Sequence, residues 1–226
     1  MGLLWLCILS IIDKKYFYKF KKESWERLWS DIDVGYIDRG ILDLLIRFNM
    51  DKNIYTKSSC SGRIVISDTT YPWSREETGV IFKKHDYITV DEVIDILNKP
   101  IVRNLWLNVS GPIIHLSVLN GKYARFILSI ARNAGFKHSG ILSVNRLKGF
   151  IIEIVSGVKM SHLLKTSSRI IVDESALPLL VQEANRVYSM GLTLLNKLKK
   201  LVFENLPKEV DEDVVRDVEI RGYSNV

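Results

Sequence analysis

Eight short runs rich in Val, Ile and Leu are interleaved with segments of helical periodicity, and this interleaving constrains the fold more than any other feature. Each run is bounded by Gly, Pro, Ser or Asn, as strands commonly are. The runs cover residues 53–57, 62–67, 79–84, 104–109, 113–118, 140–145, 149–155 and 168–173. Because the order lacks a strict strand–helix–strand rhythm, it predicts the α+β class, with a mixed β-sheet flanked by helices.

Apolar residues at helical spacing predict the helices. They lie at about 14–29, 41–48, 90–98, 124–131 and 175–203. Thr89 is the expected N-cap of the third helix, and Gly135 is the expected stop of the fourth. The last is a long C-terminal helix with Pro178 in its first turn, where proline is tolerated.

Two pairings of neighbouring segments stand out. The runs 140–145 and 149–155 are joined by three residues, which predicts a hairpin. The stretches 53–109 and 113–155 share a strand–helix–strand order, which allows an internal duplication.

The chain has no Gly/Ser-rich or Pro-rich linker, so we expect a single domain over residues 24–203. Residues 1–23 form an apolar, then Lys-rich, N-terminal extension, and 204–226 an acidic tail that is expected to be frayed or loosely docked. The apolar stretch 2–12 is shorter than the roughly 20 residues of a membrane-spanning helix. Its lysines follow the apolar run, whereas those of a secretory signal precede it. We therefore expect no membrane attachment.

The net charge of +6 is unevenly distributed, with −4 in residues 204–226 and +10 in the remainder. A basic body favours a polyanionic partner, since Lys and Arg release counterions from phosphates. The basic residues include Lys14, Lys15, Lys19, Lys21, Lys22, Arg125 and Arg132. A basic cytoplasmic protein without such a partner explains the charge equally well. Cys7 and Cys60 are too few for a disulfide framework or a Cys-based zinc site, so a reduced, cytoplasmic location is expected.

The glycine and histidine spacings exclude several kinds of site. No two glycines are separated by one residue, so the phosphate-binding fingerprint of a Rossmann fold is absent, as is a P-loop. The histidines are far apart in sequence, at His85, His115, His138 and His162. We therefore expect neither a Rossmann fold nor a metal site.

The most unusual segment is YTKSSCSGRI, residues 55–64. Hydroxyl groups, a thiol, a glycine and an arginine lie there between two apolar runs. A turn of this composition presents backbone N–H groups and hydroxyls together, and Arg63 adds a permanently charged fork for a carboxylate or phosphate. For an arbitrary Ser-rich turn, a polar hairpin turn with a buried Cys60 would be the simpler interpretation.

The string SSCSGRI resembles the tRNA wybutosine-synthesising protein 3 family, and further similarities follow in the family's order. They are GYID at 35–38, FKKHD at 82–86, IHL at 114–116, GFK at 135–137, SGI at 139–141 and Asn185 in the long helix. The resemblance covers about residues 24–203. Departures include Val34 for a lysine, Asp33 for a proline, and Lys137 for an arginine, which keeps the charge but loses the bidentate fork.

This resemblance implies a fold and an activity. The family comprises S-adenosylmethionine-dependent methyltransferases that act on N4 of the tricyclic guanosine derivative at position 37 of tRNA-Phe, and the compact length resembles the archaeal stand-alone members. The implied partner is the anticodon loop of tRNA-Phe. A noncatalytic basic RNA-binding protein is the alternative, and a small-molecule enzyme with incidental charge is a third. The oligomeric state is not predicted.

The resemblance also implies roles for individual residues. The proton acceptor would be His85 or Asp86. The cofactor would contact Ser59, Ser61, Gly62, Arg63, His115, Ser139 and Gly140. The substrate would contact Ser58, Cys60, Tyr71, Trp73, Lys137 and Asn185. Ordinary structural roles remain open: His115 as a core histidine, His85 as a strand-end histidine, and Tyr71 and Trp73 as loop anchors.

Overall fold

The structure is a computed structural model that describes residues 12–74, 79–206 and 209–223. All but the last residue of the apolar stretch 2–12 falls outside the described residues. The chain divides into two compact units, and each is treated by itself below. The first unit comprises residues 1–60, 113–156 and 194–226, and the second comprises 61–112 and 157–193.

Six α-helices and eight strands are found in the described part of the chain. In order they are α1 (Lys14–Asp33), α2 (Leu42–Asn49), β1 (Ile54–Cys60), β2 (Arg63–Thr69), β3 (Gly79–Lys84), α3 (Val90–Leu97), β4 (Asn104–Ser110), β5 (Ile113–Val118), α4 (Gly121–Ala134), β6 (Gly140–Asn145), β7 (Gly149–Val155), β8 (Lys159–Thr166), α5 (Leu177–Asn205) and α6 (Glu212–Ile220), with a 3-10 turn at Arg39–Ile41 before α2. Within these bounds, no helix is both long and apolar enough to cross a membrane.

The first unit is built on a four-stranded sheet in the order β1-β5-β7-β6, with every pair antiparallel. Alternate residues of the central strand β5, namely Ile114, Leu116 and Val118, are fully buried in one cluster with residues of α2 and α4. The intervening residues, His115 and Ser117, therefore project from the opposite face. That face carries the first half of the candidate site.

The C-terminal segment belongs to the core of the first unit. Helix α6 begins at its N-cap Asp211, and its Val214 and Val218 are buried in the same apolar cluster. The expectation of a frayed or loosely docked tail is therefore wrong for this segment. Its acidic composition concealed two apolar side chains at i and i+4 spacing, which share one face of a helix.

The second unit has its own four-stranded sheet, in the order β3-β2-β4-β8, again with all pairs antiparallel. Its core joins the alternate residues of β2 and β4 to α3 and to the first half of α5. The buried strand residues are Ile64, Ile66, Leu105, Leu107 and Val109. Helix α3 starts with a complete capping box, in which Thr89 and Glu92 bond each other's backbone N–H groups, so the predicted N-cap is confirmed.

The α+β class and the long C-terminal helix are confirmed, but two antiparallel sheets take the place of the single mixed sheet. The helical connections β5–α4–β6 and β3–α3–β4 join strands that run parallel. An antiparallel strand, β7 or β2, lies between the two strands in each case, so no neighbouring strands are parallel. The two predicted repeats, 53–109 and 113–155, do not correspond to the sheets, because β1 pairs with β5. The hairpin of β6 and β7 and the stop at Gly135, with φ +106°, are confirmed.

One local prediction is wrong, and one alternative interpretation is excluded. The last strand is Lys159–Thr166 and not 168–173, where Ile170 makes only an isolated bridge to Lys165. The true strand, KMSHLLKT, has too few β-branched residues to stand out in sequence. The Ser-rich segment is also not a hairpin turn: β1 continues to Cys60, and β1 and β2 join different sheets.

Candidate active site

A bulge in β1 places a serine beside the histidine of β5. Thr56 pairs with Leu116 and Ser59 with Ile114, so Lys57 and Ser58 together oppose His115 alone. The Ser58 hydroxyl oxygen lies 3.0 Å from His115 Nδ1. Bulges re-aim side chains in this way and are common beside active sites.

The same histidine contacts a glutamate on its other side. His115 Nε2 lies 3.0 Å from Glu153 Oε1, because Glu153 pairs directly with His115 across β5 and β7. If Nε2 carries the proton and donates to Glu153, then Nδ1 is free to accept the Ser58 O–H. About a quarter of each ionisable side chain, 22% for His115 and 26% for Glu153, is solvent-accessible. We call Ser58, His115 and Glu153 the relay.

Two further predicted residues lie next to the relay. Gly140 pairs with Glu153 across β6 and β7. Ser139 is 4% exposed, and its hydroxyl accepts a hydrogen bond from the Val155 N–H at 3.1 Å. Four sequence-predicted residues, Ser58, His115, Ser139 and Gly140, are thus brought to one end of the first unit's sheet.

The residues that end β1 differ in their partners. The Ser59 hydroxyl is buried and has no hydrogen-bond partner among the described residues. An unpaired buried hydroxyl costs about 1–3 kcal/mol, so its presence calls for an explanation. Cys60 is half-buried. Lys137 is exposed and follows the buried Phe136 just after α4.

The second half of the motif lies in the second unit. Ser61 is buried, and Gly62 has φ +114°, a conformation that L side chains rarely adopt. A Cβ on Gly62 would lie 2.9 Å from the Ser110 carbonyl oxygen, so only glycine fits. Arg63 begins β2 with an exposed guanidinium, which contacts no carboxylate of the described chain.

His85 and Asp86 form the turn that follows β3. His85 is half-buried, and Asp86 is exposed, with its carboxylate accepting the Tyr87 N–H at 2.7 Å. Asn185 on α5 clamps this turn: its side chain accepts from the Ile88 N–H at 2.9 Å and donates to the Ile88 carbonyl at 2.8 Å. Asn185 therefore has a positioning contact here, and its predicted contact with substrate stays a prediction.

Tyr71 and Trp73 form an exposed aromatic pair after β2. Their rings stack with centroids 5.2 Å apart and planes 4° from parallel. Trp73 is 76% exposed and Tyr71 51% exposed. Aromatic surface this open is not a loop anchor packed on the sheet, so it is available for stacking with a flat ligand.

A cleft of about 410 Å³ lies between α1 and β1 in the first unit. Glu23, Arg27 and Asp31 line it from α1. Tyr55 and Lys57 line it from β1, and Lys148 from the turn between β6 and β7. Ser58 also reaches its wall, so the cleft adjoins the relay. Burial, followed by repulsion from Lys148, lowers the pKa of Lys57. We refer to this space as the α1–β1 cleft.

A more open groove of about 710 Å³ runs along α4 beside the start of β6. It is lined by Lys122, Arg125, Arg132 and the half-exposed Phe126, and we call it the basic groove. Lys21, in contrast, is only 2% exposed and is not part of any basic surface. Lys21 lies four residues from both Phe17 and Trp25, so it shares the buried face of α1.

Sequence reasoning missed two contributors to the site, Glu153 and Lys57. Glu153 could have been found only from the register of β5 against β7, which joins residues 38 positions apart. Lys57 lies within the recognised motif, but its position in a cleft depends on α1. No cluster of three metal-ligating side chains is found in the ranges that the structure describes.

Comparison with known proteins gives a consistent result. The family described as Methyltransferase TYW3 matches residues 19–204. A protein from Saccharolobus solfataricus named tRNA(Phe) 7-((3-amino-3-carboxypropyl)-4-demethylwyosine(37)-N(4))-methyltransferase is 43% identical, over 81% of this chain and 88% of its own. An Aeropyrum pernix protein of the same name is 38% identical, over 68% and 81%.

Solved structures agree with these matches. A Pyrococcus horikoshii protein superposes with a TM-score of 0.77 at 30% identity, covering 84% of this chain and 97% of its own. A protein from Aeropyrum pernix superposes with a TM-score of 0.67 at 36% identity, covering 74% and 98%.

Proposed function

This chain belongs to the Methyltransferase TYW3 family, and from that premise we propose that it transfers a methyl group to N4 of a wyosine-type base at position 37 of tRNA(Phe). The observation that carries the proposal is the 43% identity maintained over 88% of a relative that bears this activity in its name. The methyl donor would be S-adenosylmethionine, and the anticodon loop would present the base. A cytoplasmic location goes with the proposal, on the cysteine content alone.

The residues of the recognised motif suit such a donor. Among the described residues, the buried Ser59 hydroxyl has no hydrogen-bond partner, and the exposed Arg63 guanidinium contacts no carboxylate. A hydroxyl group can bond a ribose hydroxyl, and a guanidinium can bond either the amino-acid carboxylate of the donor or a phosphate of the tRNA. S-adenosylmethionine, when bound, supplies an electrophilic methyl group on a positively charged sulfur. Ser61, Gly62, Ser139 and Gly140 are proposed as further contacts from the family resemblance.

The relay supplies a route for the proton that must leave the attacking nitrogen. The Ser58 hydroxyl would take that proton while passing its own to His115 Nδ1, at 3.0 Å. Glu153, 3.0 Å from Nε2, orients the ring and stabilises the imidazolium that forms. His85 and Asp86, the acceptors proposed from sequence, remain the competing assignment.

The basic groove is proposed as the surface for tRNA phosphates. Lys122, Arg125 and Arg132 follow one side of α4, and Phe126 adds an aromatic ring among them. Base 37 lies in a single-stranded loop, where bases can be splayed out and stacked on aromatic side chains. Tyr71 and Trp73 are proposed for that stacking, and Cys60, Lys137 and Asn185 as further substrate contacts.

Transfer of tritium from labelled S-adenosylmethionine to tRNA(Phe) tests the proposal. We expect label in tRNA that carries the unmethylated tricyclic base and none in the same tRNA lacking it. Calorimetry should detect S-adenosylmethionine binding to the protein. Tight tRNA binding without methyl transfer or cofactor binding would instead favour a noncatalytic RNA-binding protein.

A further inference from the structure

We propose that the α1–β1 cleft binds a 3-amino-3-carboxypropyl group, the zwitterionic chain that ends in an amino acid. The inference deepens the proposed function and rests on it. Two components of that reaction carry this group: the base named for the relatives bears it as a substituent, and S-adenosylmethionine bears it as its amino-acid end. The cleft recognises the shared chemistry, and the experiment distinguishes the two sources.

One wall of the cleft is cationic and lacks a counterion. No carboxylate of the described residues lies within salt-bridge distance of Lys57 or Lys148, and the Lys148 ammonium instead lies over the Phe20 ring at 5.2 Å. Two neighbouring ammonium groups repel one another, and this repulsion adds to the larger effect of burial in lowering the pKa of Lys57. A bound carboxylate removes this repulsion and accepts charge-assisted hydrogen bonds.

The opposite wall is acidic. The Glu23 carboxylate lies 3.8 Å from the Lys19 ammonium. Because the lysine side chain is 66% exposed and the glutamate side chain 51% exposed, this ion pair is weak. Asp31 bonds the exposed Arg27 through one oxygen, Oδ2, at 3.3 Å. Both carboxylates can therefore accept from an ammonium group while the cationic wall holds a carboxylate.

Two hydrogen bonds hold the walls of the cleft in place. The Ser24 hydroxyl on α1 donates to the Thr56 carbonyl on β1, and the Tyr55 hydroxyl donates to the Lys148 carbonyl at 3.1 Å. A space of about 410 Å³ is more than sufficient for this group of roughly seven non-hydrogen atoms, and it falls within the size range of small-molecule sites. Because Ser58 lines the cleft and contacts His115, a group anchored there lies beside the relay.

The test compares Lys57→Gln with Lys57→Arg, which retains the charge, and with Lys197→Gln, an exposed lysine of the first unit outside the cleft. The first measurement is calorimetric affinity for S-adenosylhomocysteine and for 5′-methylthioadenosine, which lacks the amino-acid end. The second is kcat/KM on tRNA(Phe) whose base carries the 3-amino-3-carboxypropyl substituent and on tRNA(Phe) with 4-demethylwyosine, which lacks it. Lys57 is exposed, so Lys57→Gln is expected to retain the wild-type circular dichroism spectrum.

If the cofactor occupies the cleft, Lys57→Gln weakens S-adenosylhomocysteine binding about tenfold and leaves 5′-methylthioadenosine unchanged. If the substrate arm occupies it, cofactor affinity is unchanged, and kcat/KM falls about tenfold only on the tRNA that carries the arm. Lys57→Arg restores most of the loss in either case. Unchanged values in all four measurements would overturn the proposal.

Failure of the proposed function gives a different result. In that case the wild-type protein transfers no methyl group to either tRNA, and the effect of Lys57→Gln on affinity for S-adenosylhomocysteine, compared with 5′-methylthioadenosine, still decides whether the cleft holds the amino-acid end. Equal affinities of wild type and Lys57→Gln for S-adenosylhomocysteine would then exclude the cleft as the site of that end.

Discussion

Lys21 shows how one buried cation ties together separate segments of the first unit. Its ammonium donates to the carbonyls of Asn49, Asp51 and Ile54, and lies 3.5 Å from the Asp211 carboxylate. Burial lowers its pKa to about 8, although Asp211 and Asp51 partly oppose that effect. The residue is structural, and its charge state links stability to pH.

Replacement of this lysine should change the pH dependence of stability. Between pH 8 and 10.5 the unfolded chain holds the lysine proton more firmly than the folded chain, so the free energy of unfolding rises with pH, by at most about 3 kcal/mol. Lys21→Met lacks this rise. Urea unfolding from pH 7 to 10.5 measures it, with Lys22→Met, an exposed lysine on the same helix, as the control. Parallel curves for wild type and Lys21→Met would contradict the assignment.

The relay makes a second prediction at the scale of single residues. His115→Asn should lower kcat by about 10²- to 10⁴-fold, since a general base contributes this much, with affinity for S-adenosylhomocysteine retained. Glu153→Gln should show a smaller loss. Normal turnover in His115→Asn with complete loss in His85→Asn would assign the role to the second unit instead.

The sequence predicted which residues belong to the site better than it predicted which side chains contact them. The family resemblance selected Ser58, His115, Ser139 and Gly140, and the structure brings these four together. It did not select Glu153, because glutamate next to a histidine in space leaves no local pattern in the sequence. A partner across a sheet follows from strand register, which the chain sets over long distances.

At the scale of elements, helix ends were predicted well because their signals are local. Thr89 caps α3, and Gly135 ends α4 in a left-handed conformation, as expected from their residue types. The positions of strands were predicted less well, because composition can mislead. The Ile-rich run 168–173 was predicted as a strand but is irregular, whereas the strand is Lys159–Thr166. Pairing with β4, which no local feature encodes, decided between them.

The turn between β1 and β2 makes a prediction about a single glycine. Gly62→Ala should destabilise the protein by about 1–3 kcal/mol, because alanine rarely adopts φ +114° and its Cβ would contact the Ser110 carbonyl. Gly140→Ala is the matched control within the site, since no atom lies within 4 Å of its Cβ position. Urea midpoints should therefore fall for Gly62→Ala and stay near wild type for Gly140→Ala; equal midpoints would show that the turn tolerates a side chain.

At the scale of the whole molecule, the charge distribution predicts how tRNA binding responds to salt. The net charge is +6, and the basic groove concentrates part of it on α4. Each phosphate contact contributes about 0.7–0.9 to the slope of log affinity against log salt. The double variant Lys122→Gln/Arg125→Gln should reduce that slope by between about 1 and 2, while Lys197→Gln leaves it unchanged. An unaltered slope in the double variant would place the phosphates elsewhere.

The division into two sheets could not be read from the chain. Predicted strands were mostly present, but their partners are distant: β1 pairs with β5, and β4 pairs with β8. The single-domain interpretation followed from the lack of a linker, and the chain passes between the two units without one. Local composition therefore predicted the elements and the class, and non-local pairing determined the topology.

The three-segment make-up of the first unit has a consequence for how the protein is produced. A ribosome releases β1 long before its partner strand β5 has been made, and the buried Val214 and Val218 of α6 emerge much later still. Such high contact order slows folding and leaves an unpaired strand edge exposed in the meantime. The nascent chain consequently completes this half only after α6 has been synthesised, so truncation before α6 is expected to yield an aggregation-prone product.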